Sequence, residues 1–398
     1  MITTINNEHK KLNVPNLRFP EFQGEWEKCT LEDVMNFSTA RVSSSELNKD
    51  NYVSTENMLQ DFQGIMEAKS VPEDINVISF SCGDILISNI RPYLKKVWRA
   101  TFNGGCSSDV FVLQVNDNIE SDYLHYVVAN DKFINFVMSG AKGVKMPRGD
   151  KSQMKTYSLF LPQIQEQHKI ARLLSLLDER IATQNKIIDK LQSLIKGIVV
   201  ELQKQGVDRG TWKKMSLGDV LSERNERNTN LYQVFSVSVS QGIVNQVDYL
   251  GRSFAAKDIS KYNVVHYGDL VYTKSPTGSF PYGIVKQSLN LENVAVSPLY
   301  GVYEPHSLAV GAYLHEYFMS EINTLNYLHP LIQKGAKNTI NITNQRFLEN
   351  CVLLPTNINE LLLISKLLRS LNNKMEYQKD ILQQYQKQKQ YLLRQMFI

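Results

Sequence analysis

The chain has 398 residues, of which 42% are hydrophobic and 21% are charged, and it carries a formal net charge of +4. This length exceeds a single ordinary domain and predicts two or three, the apolar content excludes wholesale disorder, and the lack of an apolar run of about eighteen residues excludes a membrane span. The first thirteen residues lack the apolar core of a signal peptide, so we expect a cytoplasmic protein.

Residues 1–162 are predicted to form a globular domain of mixed helix and strand content. Short apolar runs at 84–88 and 110–115 have Gly, Asn or Ser close to their ends, as is typical of strands. Residues 123–138 carry aromatic and aliphatic side chains at helical spacing, which predicts a helix. A further apolar strand ends at Pro162 and closes the domain.

A long helix is predicted for residues 163–206, because apolar residues recur there at alternating steps of three and four without a proline. The stripe is narrow and has one polar member in its middle. A helix of about forty residues is about 60 Å long and needs another helix to cover its seam. The seam positions are Leu174, Leu177, Ile181, Gln184, Ile188 and Leu191, followed by Ile195, Ile198 and Leu202.

The rest of the chain repeats this plan, because several motifs return in the same order about 190 residues later. The matching pairs are a Trp-x4-Leu-x-Asp-Val motif at Trp26 and Trp212, Gly-Asp at Gly83 and Gly268, Gly-Ala-Lys at Gly140 and Gly335, and Leu-Pro at Leu161 and Leu354. A period of this size indicates a domain duplication and excludes a solenoid, whose repeats have roughly 20–50 residues.

The second copy comprises a globular domain at residues 207–355 and a long helix at residues 356–398. Runs at 234–239 and 270–273 predict strands, and residues 312–327 predict a helix. The economical partner for each long helix is the other long helix, and the alternative is that each packs against its own domain. The second seam comprises Leu368, Leu371, Met375, Gln378, Leu382 and Tyr385, followed by Lys389, Leu392 and Met396.

Basic residues gather late in the first globular domain. Residues 1–90 contain 7 Lys and Arg against 14 Asp and Glu, whereas residues 91–155 contain 10 against 6. Basic side chains mixed with Asn, Ser and Thr in Gly-containing loops suit phosphate contacts and base-edge readout. A solvated lysine face is the alternative for any single residue. The candidate DNA-binding residues are Arg91, Lys95, Lys96, Lys142, Lys145 and Arg148 in the first copy, and Lys274, Lys337, Asn338 and Arg346 in the second.

The sequence contains none of the motifs that would indicate an enzyme. It has no GxxxxGK[ST] loop for ATP, no GxGxxG fingerprint for a dinucleotide and no HExxH metal motif. The seven histidines show no metal-ligand spacing, and the four cysteines are isolated, so we expect no metal site and reduced thiols. Ser297-Pro298-Leu299-Tyr300 has the wrong third residue for a methyltransferase loop and is interpreted as a turn.

Taken together, these motifs resemble the specificity (S) subunit of type I restriction–modification systems over essentially the whole chain. The similarity rests on the paired Trp motifs, the Gly-Asp-Ile-Leu-Ile-Ser-x2-Arg-Pro-Tyr run at 83–93 and the Gly-Ala-Lys segments. The run Leu-Pro-x-Ile-x-Glu-Gln-x2-Ile-Ala-x-Leu-Leu-x2-Leu-Asp at 161–178 is the most specific feature. The second copy departs from this run, since Asn372 replaces Asp178.

The resemblance implies an α+β fold with two duplicated, mixed α/β target-recognition domains. These are separated by two long helices that pack as an antiparallel coiled coil with pseudo-twofold symmetry. Each domain is expected to read one half of a bipartite, asymmetric site in double-stranded DNA, while the helices set the half-site spacing. Two methyltransferase (M) subunits and restriction (R) subunits are the implied protein partners. No cofactor is expected on this chain, and S-adenosylmethionine, ATP and Mg are expected on the partner subunits.

Two other functions fit parts of the pattern. A structural coiled-coil assembly protein would show the same seams without any direct DNA readout. A methyltransferase with its own recognition domain is disfavoured by the missing cofactor loops. The prediction is therefore a non-catalytic DNA-recognition subunit.

Overall fold

The computed structural model describes residues 13–143, 145–334 and 340–398. The chain divides into two compact units: unit 1 comprises Met1–Thr183 and Leu382–Ile398, and unit 2 comprises Gln184–Ile381. Both divisions lie inside long helices, so each unit contains one globular part together with segments of two long helices. The domain borders predicted from the sequence stay predictions, because this division cuts the helices instead of separating them from the globular parts.

Unit 1 combines short strands with short helices and segments of two long helices. Its strands are β1 (Glu27–Thr30), β2 (Met35–Phe37), β3 (Arg41–Ser43), β4 (Tyr52–Val53), β5 (Asn76–Phe80), β6 (Ile85–Ser88), β7 (Val97–Arg99), β8 (Gly104–Cys106), β9 (Val110–Val115) and β10 (Ser158–Leu161). Its helices are α1 (Leu31–Val34), α2 (Ser121–Val128), α3 (Asp131–Ser139), α4 (Lys151–Lys155) and the start of α5 (Ile164–Asp208), with 3-10 turns at Ser44–Glu46 and Pro92–Leu94.

The central sheet of unit 1 has the antiparallel strand order β2–β9–β6–β7 and is covered on both faces. Ile85 and Ile87 of β6 pack into the larger core, which also contains residues of α2, α3 and α5. Leu86, between them, packs into a second core with side chains of β5, β7 and β9. Burial on both faces explains why residues 85–87 of β6 and 110–113 of β9 are continuous apolar runs without polar alternation. A second sheet has the order β3–β5–β8–β4, and β1 pairs with β10.

Unit 2 has the same kinds of elements. Its strands are β11 (Trp212–Ser216), β12 (Leu221–Glu223), β13 (Phe235–Ser238), β14 (Gly242–Asn245), β15 (Asn263–Val265), β16 (Leu270–Tyr272), β17 (Val285–Gln287), β18 (Val294–Val296), β19 (Gly301–Pro305), β20 (Gln333–Lys334), β21 (Ile340–Asn341) and β22 (Cys351–Pro355). Its helices are α6 (Gln246–Leu250), α7 (Leu308–Met319), α8 (Glu321–Leu328), α9 (Asn344–Glu349) and most of α10 (Ile358–Gln395), with 3-10 turns at Leu217–Asp219 and His329–Leu331.

The two globular parts share one strand plan. The order β12–β19–β16–β17 in unit 2 corresponds to β2–β9–β6–β7 in unit 1, and the pair β11–β22 corresponds to β1–β10. The Gly-Asp repeat opens the central strand in both: Gly83 and Gly268 have φ angles of 97° and 94°, which favour glycine. The buried Asp84 and Asp269 then each accept a hydrogen bond from a backbone N–H three residues earlier. The duplication seen in the sequence is therefore present in the fold.

Each of the two predicted single helices is a pair of shorter helices. Residues 123–138 form parts of α2 and α3, because α2 ends at Val128 and the side chain of Asn130 caps the start of α3. Residues 312–327 form parts of α7 and α8, with Ser320 as the cap between them. The prediction of continuous helices was wrong at both places, since an N-cap residue interrupts an otherwise continuous apolar pattern.

The long helices α5 and α10 have 45 and 38 residues, and all of their predicted seam positions are buried or partly buried. In unit 1 the two helices run antiparallel, because Asp178 contacts Lys389 while Arg180, further along α5, lies over the ring of Tyr385, further back along α10. In unit 2 the two polar seam residues meet: Gln184 Nε2 donates to Gln378 Oε1 at 2.6 Å. Beyond Ile195 the buried stripe continues through Val199 rather than through the predicted Ile198.

The predicted fold class is confirmed: both units mix helices and strands, repeat one plan and share two long helices. Among the described residues, no helix combines the length and apolar character needed to cross a membrane.

Candidate nucleic-acid interface

Backbone hydrogen bonds join the two loops of unit 1 that carry most of the predicted basic residues. The β6–β7 loop and the loop between α3 and α4 meet where Arg91 N donates to Pro147 O at 2.8 Å and Gly149 N donates to Asn89 O at 3.0 Å. The second loop is itself closed by Arg148, whose N–H donates 2.9 Å to the carbonyl of Lys142. Segments about fifty residues apart in sequence thus form one surface.

The β6–β7 loop and its counterpart in unit 2 hold basic residues in the left-handed backbone region. Arg91 and Lys95 flank the 3-10 turn Pro92–Leu94 with φ angles of 50° and 55°. In unit 2, Lys274 follows β16 with a φ angle of 57°. Non-glycine residues rarely adopt this region, and such strain is found preferentially at functional sites. The corresponding loops of both units therefore share a backbone feature as well as a charge.

Several predicted DNA-binding residues already have partners within unit 1. Three cations form ion pairs with N–O distances of 2.8–2.9 Å: Lys95 with Asp131, Lys142 with Asp150, and Arg148 with Asp109. The Asp150 partner raises the pKa of Lys142, mainly through their hydrogen bond. Lys96 Nζ donates to the carbonyl of Thr55, and burial lowers the pKa of this lysine. Lys96 thus has a structural contact that the sequence does not reveal.

Arg91 and Lys145 differ from these residues. Both are exposed, and neither forms an ion pair with any residue that the structure describes. They lie on the two joined loops, one on each, so the loop pair presents two unneutralised cations. Exposed cations of this kind can contact phosphates without first breaking an internal ion pair.

In unit 2 the predicted residues are placed less uniformly. Lys274 is half-buried near Glu223, and burial lowers its pKa while that carboxylate opposes the change. Arg346 on α9 donates through Nε to the carbonyl of Leu331 at 2.9 Å, which is a structural contact. Lys337 and Asn338 lie outside the described residues. The assignment of all ten residues to DNA contact stays a prediction.

Two features escaped the sequence-based reasoning. In unit 2 the loop after α6 places Arg252 over the exposed ring of Phe254 at 4.5 Å, a basic–aromatic pair suited to nucleic acid. The second feature is a Tyr-Leu-His repeat at 123–125 and 313–315, which lies on α2 and α7. An offset of 190 residues, within the range of the other repeats, could have revealed it.

Residues 23–193 match the family model described as the type I restriction modification DNA specificity domain. The type I restriction enzyme EcoDI specificity subunit of Escherichia coli is 31% identical over 93 residues, which are 23% of this chain and 20% of that protein. A putative type I restriction enzyme MjaX specificity subunit of Methanocaldococcus jannaschii is 32% identical over 158 residues, 37% of each protein. The matched stretches thus span 20% to 37% of the length of these curated relatives.

The fold is also similar to that of a solved structure. The S subunit of a type I restriction–modification system from M. genitalium aligns with a TM-score of 0.59 at 13% identity, over 97% of this chain and 99% of that one. At this identity the similarity concerns the fold alone, and it extends over both units.

Proposed function

We propose that this chain is the DNA sequence-recognition subunit of a type I restriction–modification complex, because residues 23–193 match the DNA specificity domain of that family and the curated relatives are specificity subunits. Each globular domain would read one half of a bipartite, asymmetric site. The observation that carries the proposal is the joined loop pair of unit 1, which presents Arg91 and Lys145 without an acidic partner among the described residues.

The paired cations of the same loops can contribute as well. Lys142 is highly exposed, and its ion pair with Asp150 lies at the surface. Surface ion pairs contribute only about 0–1 kcal/mol, so a DNA phosphate can compete for such a lysine at little cost. The low overall charge of the chain is compatible with this arrangement, because phosphate contacts require local clusters of cations and not a large net charge.

The long helices would set the distance between the two half-sites and dock two methyltransferase (M) subunits. A helix of 45 residues extends about 68 Å at 1.5 Å per residue, long enough to space domains that read half-sites about 34 Å apart. The chain itself would be non-catalytic and act in the cytoplasm. S-adenosylmethionine would be bound by the M subunits, and restriction (R) subunits would supply the chemistry that requires ATP and Mg.

The proposal is tested by DNA binding of the full chain assembled with its M subunits. Replacing both Arg91 and Lys145 by Ala should weaken binding and lower the slope of log affinity against log salt by about 2, one for each lost phosphate contact. Lys28→Ala, at an exposed lysine on β1, is the matched control and should leave the slope unchanged. A double variant with the slope of the control would rule out this loop pair.

The wider function is tested by sequencing the methylated bases of a host with and without this chain. Loss of one bipartite adenine-methylation motif on deletion is the expected result. An unchanged set of motifs, with the protein assembly intact, would instead support a coiled-coil assembly protein without DNA readout.

A further inference from the structure

Each globular part is hydrogen-bonded to a long helix through the residue that follows the Tyr-Leu-His repeat. The repeat itself has the same environment in both units: Tyr123 and Tyr313 are fully buried, and each packs edge-on against the Trp of the repeated Trp motif. Burial lowers the pKa of His125 to about 4 and that of His315 to about 3, so both are neutral at pH 7. We call this hydrogen-bonded contact between a globular part and a long helix the joint. Because the histidine is neutral, the residue after it determines whether the globular part provides a hydrogen-bond donor or an acceptor at the joint.

In unit 1 that next residue is a hydrogen-bond donor. Tyr126 on α2 is buried, and its hydroxyl donates to Asp178 Oδ2 on α5 at 2.9 Å. The other carboxylate oxygen of Asp178 accepts from Lys389 Nζ on α10 at 2.5 Å. The carboxylate at this contact thus belongs to α5, and the lysine that pairs with it belongs to α10.

In unit 2 the roles are exchanged. The residue after the repeat is Glu316 on α7, a buried acceptor, and it accepts a hydrogen bond from the side-chain amide of Asn372 on α10. Burial raises the pKa of Glu316, while the hydrogen bond from Asn372 and the charge of the buried Lys286 on β17, in the globular part, oppose that shift. Ile195 on α5 corresponds to Lys389 on α10, because these two positions are separated by the same 194 residues that relate the two helix seams.

The two joints therefore use the same positions with opposite polarity. Residues 178 and 372 are equivalent by the 194-residue offset of the long helices, and residues 126 and 316 follow the same repeat. In unit 1 the globular part provides the donor and the long helix provides the acceptor. In unit 2 the globular part provides the acceptor and the long helix provides the donor. The hydrogen bond between the globular part and the long helix therefore decides which pairs of residues fit together.

We propose that this exchange is a pairing code, which admits the second globular domain onto α10 and rejects it from the equivalent surface of α5. On α5, Glu316 would face Asp178, and two carboxylates offer acceptors without a donor between them. The reverse exchange is permitted, because Tyr126 can donate to the side-chain oxygen of Asn372. The code operates on assembly of the domains and does not depend on what DNA the protein reads.

The test reproduces the rejected joint within the full-length chain. Asn372→Asp places a carboxylate against Glu316 in unit 2, and leaves a buried acceptor without a donor. We expect the midpoint of thermal unfolding to fall by about 5 °C, with faster amide exchange in α7. Asn373→Asp is the matched control, since it adds the same charge at the neighbouring, exposed position of α10 and should shift the midpoint by less than about 1 °C.

Rescue distinguishes a pairing code from simple loss of packing. Adding Glu316→Gln to Asn372→Asp restores a donor on the domain and should recover at least half of the lost midpoint. If the single variant fails to fold, recovery of folded protein in the double variant supports the code, and failure of both overturns it. Asp178→Asn builds the permitted joint and should cost less than Asn372→Asp. A drop equal to that of Asn373→Asp, or no rescue by Glu316→Gln, would also overturn the proposal.

Discussion

The two units differ in what contacts their buried Trp–Tyr pair, which is Trp26–Tyr123 in unit 1 and Trp212–Tyr313 in unit 2. In unit 2, α5 continues covalently into β11, and Gln203 of α5 donates to the hydroxyl of Tyr313 at 2.8 Å. In unit 1 the equivalent place, 194 residues later, is taken by Phe397 from the segment after α10, which stacks on Tyr123 at a centroid distance of 5.3 Å. The contact that the continuous helix α5 makes in unit 2 is thus replaced in unit 1 by an apolar, non-covalent contact of Phe397.

The equivalent glutamates near these Trp–Tyr pairs, Glu166 and Glu360, also have different partners. In unit 2, Glu360 accepts a hydrogen bond from Trp212 Nε1 at 2.8 Å. In unit 1 the equivalent Glu166 instead accepts two bonds of 2.8 Å from Arg18, and the indole N–H of Trp26 has no partner among the described residues. The segment before β1 therefore supplies a cation that unit 2 does without. Equivalent residues do not guarantee equivalent contacts, because flanking segments can take over a hydrogen-bond partner.

The largest effect should come from removing the aromatic contact of unit 1. Phe397→Ala deletes a buried ring and should lower the free energy of unfolding of unit 1 by about 3 kcal/mol. In unit 2, Gln203→Ala removes one hydrogen bond and should cost about 1 kcal/mol. Urea unfolding followed by amide exchange, resolved for each unit, measures both. Equal losses of unfolding free energy in the two variants would show that Phe397 stabilises unit 1 no more than Gln203 stabilises unit 2.

A smaller effect is expected from Arg18→Met. The change removes charge-assisted hydrogen bonds to a fully buried carboxylate and should destabilise unit 1 by about 2 kcal/mol. The full cost of breaking a buried pair, about 3–5 kcal/mol, should not appear, because Trp26 can adopt the bond that Trp212 makes in unit 2. A change in tryptophan fluorescence would report this exchange. A loss above 4 kcal/mol without a spectral change would mean that Trp26 cannot reach the carboxylate.

The features predicted well from the sequence are those with a local physical cause. The seams of α5 and α10 follow from a period of 3.5 residues, and the Gly-Asp turns follow from the need for glycine at a positive φ. The break between α2 and α3 was missed because an apolar stripe continues through the capping residue Asn130. A pattern of hydrophobicity does not show where a side chain prefers the backbone of the next helix.

The candidate site was less accessible to prediction because its charges are paired over long sequence distances. Lys95 pairs with Asp131 and Lys96 binds the carbonyl of Thr55, contacts across roughly forty residues that no local pattern reveals. The sequence therefore indicated where cations gather but not which of them are free. Arg91 has no such pairing among the described residues, and its place beside the loop between α3 and α4 depends on backbone contacts of the tertiary fold.

The smallest expected difference concerns the polar contacts within the two helix seams. Unit 1 has a charged contact between Asp178 and Lys389, whereas unit 2 has a neutral one between Gln184 and Gln378. Raising the salt concentration from about 0.1 M to about 1 M shortens the screening length from about 10 Å to about 3 Å. Because Asp178 is partly exposed, unit 1 should lose only about 0.5 kcal/mol relative to unit 2.

Amide exchange of the two helices at both salt concentrations measures that difference, and Lys389→Met is the control. This variant removes the ion pair but keeps an apolar stem in the seam, so its unit 1 should respond to salt as unit 2 does. Salt also strengthens apolar burial in both units, and comparing the variant with the unchanged chain cancels this contribution. If the unchanged chain and the variant respond alike, the ion pair contributes no more than an exposed one, and Tyr126 alone carries the joint of unit 1.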